Sequence, residues 1–297
     1  ATLLIEMKES HQTCDPSDEQ IDVTGGKQKS TETDDCKNQP NGLSKCASYC
    51  DVVCRLDAFL EKYTRWASSS FNTDKGIKII TYVVWLLSRL TASSSKTTCD
   101  NEIKSNDAMS TGLRKVYGHL IMVRYALRLF GLPMSFEAVR TGSWYSGWKD
   151  NYINFLGKVM TWSMVFYHPY EHVAYLHWLA PELIKVDAGR CSAISCRFWL
   201  AYVFADLASS FLKIKELIIR RDDAQRNLTD DTRREKEDEI NAMIKWNKLQ
   251  ILRNMCYVLP CIHWSLPNWE RKPWLKEGAL NGLMLVESIT CLYQSVC

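Results

Sequence analysis

The chain has 297 residues and a net charge of +3, and it is 46% hydrophobic, with 11 Trp and 13 Tyr against only 13 Gly and 8 Pro. That length can bury a substantial core in one large or two ordinary domains, and the scarcity of turn formers argues against a many-stranded sheet and for helices. Residues 1–44 hold four Lys and nine Asp or Glu, whereas the remainder holds 33 basic against 25 acidic residues; such a basic, aromatic-rich body suits nucleic acid or an anionic membrane surface.

Residues 1–44, with TGGKQKSTETDD at the centre, are polar and acidic and read as a disordered tail. Helical periodicity starts near Lys45 and runs to about Tyr63, with Cys46, Cys50 and Cys54 stacked on one face. None of the 12 cysteines shows the two-residue spacing of a zinc knuckle, so they read as small apolar residues in a reducing compartment. The opening ATLLIEMKES is too short an apolar run for a signal peptide. After a loop, GIKIITYVVWLLSRL offers a second helix, and TASSSKTTCDNEIKSND reads as a polar linker.

The most regular segment is TGLRKVYGHLIMVRYALRLFGLP. Leu113, Val116, Leu120, Val123, Leu127 and Phe130 recur at spacings of three and four, an apolar stripe roughly 100° wide. Arg114, Lys115, Arg124 and Arg128 lie off that stripe, and Gly131 with Pro133 ends the helix. The pattern fits a helix packed in a bundle, or one lying in a membrane interface with its bases toward lipid phosphates; four bases, His119 and no acid favour the interface.

Asp150 to Ile184 predicts an aromatic-rich helix with a break near Pro169. It contains His168, Glu171 and His172 in the H-x-x-E-H spacing of inverted zinc peptidases. Because Pro169 directly follows the first histidine, the expectation is that His168 sits at a helix start, awkwardly placed to share an ion with His172. No metal or other cofactor is therefore expected, and the histidines read as polar tips where a helix meets water or headgroups. There is no Gly-rich phosphate loop, no G-x-S-x-G and no Cys-x-x-Cys, and no recognised motif organises the bases for nucleic acid.

Ile194 to Leu212 is a nineteen-residue apolar run, about 28 Å as a helix, with Asp206 inside it. That carboxylate would cost about 3 kcal/mol on insertion, so a span and a buried helix are evenly matched. The run RRDDAQRNLTDDTRREKEDE is a solvated linker or exposed helix extension, followed by a helix from Ile240 to Trp264 and the break SLPNWERKPW. Gly278 to Val296 is a second candidate span with one charge, Glu287, and Gly278 and Gly282 form a G-x-x-x-G suited to close helix packing in lipid.

The chain resembles the peroxin-11 family, most like its gamma type. Asp74, Lys75, Lys78 and Tyr82 match the family's early helix, with Thr73 and Thr81 in place of the usual Arg and Gln. LRKVYGHLIMVRYALRLFG is similar to its basic amphipathic helix ending in R-x-x-R-L-F. YHPYEHVAYLHW is similar to its Y-Y-P-x-E-H-V-A-W stretch at Glu171 and His172; no metal-ligating histidine is expected at the position of His168. His263, Trp264, Trp274, Gly278, Gly282 and Ser288 fit its C-terminal helix pair, although the usual acidic residue near Cys256 or Tyr257 is absent.

The fold expected is all-α, a helical membrane protein with amphipathic helices and two candidate transmembrane or membrane-embedded helices. Its divisions are an acidic tail at 1–44, an amphipathic membrane-shaping region at 45–185, and membrane-embedded helices at 186–297 with a charged loop near 220–240. The resemblance implies a non-enzyme of the peroxisomal membrane that promotes elongation and division. Its implied partners are an anionic phospholipid membrane, further copies of itself through Gly278 and Gly282, and the dynamin-related fission machinery, with no nucleic acid. The competing expectation is a membrane-embedded enzyme or transporter using Asp206, Glu287 and the HPYEH histidines.

Overall fold

A computed structural model describes residue 55 and residues 69–94, 100–227 and 230–296. The acidic tail, the first expected helix and its three stacked cysteines lie outside the described residues. Seven helices follow in chain order: α1 (Ser70–Ser94), α2 (Asp100–Arg128), α3 (Gly131–Thr141), α4 (Asn151–Leu179), α5 (Ala188–Asn227), α6 (Asp230–Ser265) and α7 (Glu277–Val296). No strand occurs among the described residues, so the all-α expectation holds.

Residues 70–297 form one compact unit. Helices α4, α5 and α6 pack in sequence, α6 packs on α7, α7 on α1, α1 on α2, and α2 returns to α4, with α3 lying against α4. Neighbours run antiparallel where side chains register them. Asp206 of α5 meets Gln250 and Asn254 of α6, while Leu217 lower on α5 meets Ile240 and Ile244. Ring contacts pin α4 to α5, where Phe198 stacks on Phe166 and Tyr170.

The ends follow local chemistry. Gly142 closes α3 at φ 66°, in the left-handed region that glycine adopts without a Cβ clash, and its N–H donates to the Ala138 carbonyl. The Asp150 carboxylate accepts from the Tyr152 N–H at 2.7 Å, capping the start of α4. At the start of α5, Asp187 accepts from the Arg190 N–H at 2.9 Å.

Three expectations are corrected here. The break near Pro169 does not occur: α4 is continuous from Asn151 to Leu179 with Pro169 inside it. Proline forfeits its own amide bond, but it lies on an exposed position, and the packing of 29 helical residues outweighs that local cost. The polar segment before Thr111 is not a linker throughout, because α2 already begins at Asp100. Of the two candidate spans, only α5, over Ala188–Arg226, is long and apolar enough to cross a membrane among the described residues. Helix α7 falls short because Asn281, Glu287, Ser288 and Gln294 make its buried side polar.

Polar and apolar surfaces are placed against the habit of soluble bundles. Large apolar side chains stand exposed on α1 (Ile80, Val83, Leu87, Leu90), α4 (Phe155, Trp162, Phe166), α5 (Phe204, Phe211, Ile218), α6 (Met255, Leu259) and α7 (Val286, Ile289). Lys78, Glu171, Asp206, Lys213, Asn254 and Glu287 are buried. Soluble monomers rarely expose apolar residues on every helix while burying charges.

Candidate functional site

Helix α2 divides the expected membrane-binding residues between outside and inside. Met109, Val116 and Val123 are exposed; they recur every seven residues, so they share one face that drifts only slowly around the helix, and Phe130, exposed too, continues that spacing in the turn after it. Lys115 flanks them and Arg114 lies on the opposite side of the helix; both are exposed. Leu113, Leu120 and Leu127 are half-buried, and Leu127 lines a cavity. Arg114 reaches Glu277 of α7 at 3.2 Å, both side chains 46% exposed, an ion pair worth at most about 1 kcal/mol.

Arg124 and Arg128 are turned into the bundle. Arg124 Nε donates to Asp74 of α1 at 2.9 Å. Burial alone would raise the Asp74 carboxyl, but Arg124 and Arg128 outweigh it and hold it below the usual carboxylate range. Arg128 Nη1 donates to Glu171 of α4 at 2.5 Å and to the Tyr167 hydroxyl at 2.7 Å, and its guanidinium lies 4.6 Å from the centroid of the Tyr125 ring. These two bases therefore join α2 to α1 and α4.

Beside them is a cavity of about 200 Å³ lined by Arg124, Arg128, Gly131, Trp144, Tyr167, His168, Trp199 and Tyr257, among others. His168 is buried, and burial pushes its imidazole down to about 4, so the ring is neutral near pH 7. Because α4 is continuous, His168 and His172 lie one turn apart on one face, their ring centroids separated by 5.5 Å. One donor atom each from His168, Glu171 and His172 lies within 4.8 Å of the others. The geometric objection drawn from Pro169 therefore falls.

A second centre joins α1, α6 and α7. Glu287 accepts from Lys78 and, at 3.0 Å, from Arg253 Nε; Lys78 also reaches the Tyr257 hydroxyl. Arg253 Nη1 donates to Gln294 at 2.7 Å and Gln250 at 3.1 Å. Gln250 and Asn254 then donate to Asp206 of α5, linking both carboxylates in one network. Sequence reasoning named Lys78, Asp206 and Glu287 but missed Gln250, Arg253 and Asn254. Their spacing of three and four, continuing to Tyr257, is a polar stripe in an otherwise apolar helix, and it could have found them.

Gly278 and Gly282 are not packed within the bundle. A Cβ built on either meets no atom within 4 Å among the described residues.

No curated protein and no solved structure matches the chain. The family model for peroxisomal biogenesis factor 11 (PEX11) matches residues 60–294, a stretch that contains all seven helices almost entire. The chain belongs to the PEX11 family of peroxisomal biogenesis factors.

Proposed function

We propose that the protein is embedded in the peroxisomal membrane and elongates and curves it ahead of division, acting through α2 and through self-association. The observation that carries this reading is the stripe Met109, Val116, Val123 and Phe130, large apolar residues 44–66% exposed, with the exposed bases Arg114 and Lys115 on the same helix. Inserted into one leaflet, such a stripe expands that leaflet alone, and many copies convert the area difference into curvature. Each base near anionic headgroups adds about 1 kcal/mol of attraction. Arg124 and Arg128 belong to the original set of membrane-facing bases; with Asp74 and Glu171 as partners, they hold the helix in place while Arg114 and Lys115 meet lipid.

The apolar faces of the other helices support an embedded bundle. Self-association runs through the open Gly278 and Gly282 face, where two backbones can approach closely. Cooperation with the dynamin-related fission machinery belongs to the same reading, as does a gamma-like subtype. The alternative, an enzyme or transporter built on Asp206, Glu287 and the HPYEH histidines, is less favoured, because both carboxylates are engaged by donors from neighbouring helices and fasten the bundle.

The test reconstitutes the full chain into vesicles of anionic or neutral lipid and counts tubules by electron microscopy. Tubules are expected on anionic vesicles, with a drop of at least about thirtyfold for the Arg114→Glu/Lys115→Glu variant, which loses two such bases. Equal tubulation of neutral vesicles, or no effect of the charge reversal, would remove α2 from the mechanism.

A further inference from the structure

His168, Glu171 and His172 project from one turn of α4 with donor atoms within 4.8 Å of one another. Two histidines at i and i+4 can reach one ion from one helical face. Three features separate this cluster from a chance grouping. First, His168 and Glu171 are each only 4% exposed, yet His168 Nδ1 and Glu171 Oε2 are buried with no hydrogen-bond partner. Orphaned buried polar atoms are rare and costly in folded proteins.

Second, His172 Nε2 sits 3.2 Å from the Arg128 carbonyl oxygen. An Nε2–H donating there leaves the Nδ1 lone pair available, the way metal-bound histidines are oriented through their other nitrogen. Third, Glu171 is anchored by its other oxygen alone: Oε1 accepts from Arg128 and from the Tyr167 hydroxyl, so Oε2 is the unengaged atom.

We propose that His168, Glu171 and His172 bind one divalent transition-metal ion of the zinc class, using one nitrogen of each imidazole and Oε2 of Glu171. Two imidazoles and a carboxylate are a donor set that Zn²⁺ accepts, with a fourth position for water. His168 lines the cavity of about 200 Å³, which has room for that water. Arg128 opposes the ion by its charge and by its hold on Glu171, which limits the affinity. Gly131 lies against the His168 ring: a Cβ there would fall 2.3 Å from His168 Cε1. The ring's place thus depends on a residue that offers no donor. This site is independent of the membrane-shaping reading and assigns the ion no catalytic step.

The experiment uses the full chain in detergent, stripped by chelator and then equilibrated with Zn²⁺ alone, with bound zinc counted by mass spectrometry. The wild-type chain is also titrated with Co²⁺, whose visible spectrum separates nitrogen and oxygen ligands from thiolate. One zinc per chain is expected, with no thiolate band at the first equivalent of cobalt. His168→Asn or His172→Asn should weaken binding at least about 100-fold, more than a lost outer partner costs. Gly131→Ala should weaken it about tenfold, and Arg128→Gln should tighten it. A wild-type chain without zinc, a thiolate band at the first cobalt equivalent, or unchanged binding in both His168→Asn and His172→Asn would overturn the proposal. If the histidine variants fail to fold by circular dichroism, the wild-type cobalt spectrum decides alone.

Discussion

At the scale of single residues, buried charge governs what this chain tolerates. Glu287 is fully buried between Lys78 and Arg253, so Glu287→Gln leaves two cations facing a neutral amide. A loss of about 3–5 kcal/mol is expected, because removing one member strands the charges left behind; thermal melting in detergent would read it, and a loss below 1 kcal/mol would mean the centre is hydrated. Asp74 behaves differently because its carboxyl is held below the usual range by Arg124 and Arg128. A depressed carboxyl contributes stability above its unfolded value and loses it as pH falls through the folded one. The melting temperature should therefore fall with acid below about pH 4, and Asp74→Asn should flatten that part of the profile while lowering stability at neutral pH.

At the scale of elements, close approach rather than propensity positions α4. A Cβ on Gly157 would lie 2.2 Å from the Tyr145 Cβ, so the segment after α3 packs directly against the α4 backbone. Gly157→Ala improves helix propensity yet is expected to destabilise by about 1–3 kcal/mol, since neither Cβ can rotate away. Unchanged or raised melting would mean that segment moves freely. Helix α2 shows the complementary case, in which one helix serves two neighbours. Its bases at 124 and 128 are used inside the bundle, and those at 114 and 115 are left at the surface.

For the whole molecule, apolar faces turned outward on α1, α4, α5, α6 and α7 suit the embedded bundle proposed above. The chain is therefore expected to stay with membranes in alkaline carbonate and to leave them only in detergent. Release by carbonate, followed by a soluble monomer on gel filtration, would show that those faces are covered by protein instead.

The residue pattern alone was sufficient to determine the all-α class, the end of α2 before Gly131 and the extent of α7, because helical periodicity and glycine or proline stops are local signals, whereas the short helix α3 after that stop was not legible. The family likeness was legible for the same reason, carried by short motifs in a shared order. Tertiary structure decided what local rules could not: the continuity of α4 through Pro169, the inward turn of Arg124 and Arg128, and the joining of Asp206 to Glu287 through Gln250, Asn254 and Arg253. Each depends on a partner more than 30 residues away or on packing summed along a whole helix. A proline's local cost is visible in sequence, but the neighbouring helix that outweighs it is not. A basic side chain likewise looks the same in sequence whether it meets a lipid phosphate or a buried carboxylate, and only the fold brings Asp74 and Glu171 to the inner side of α2.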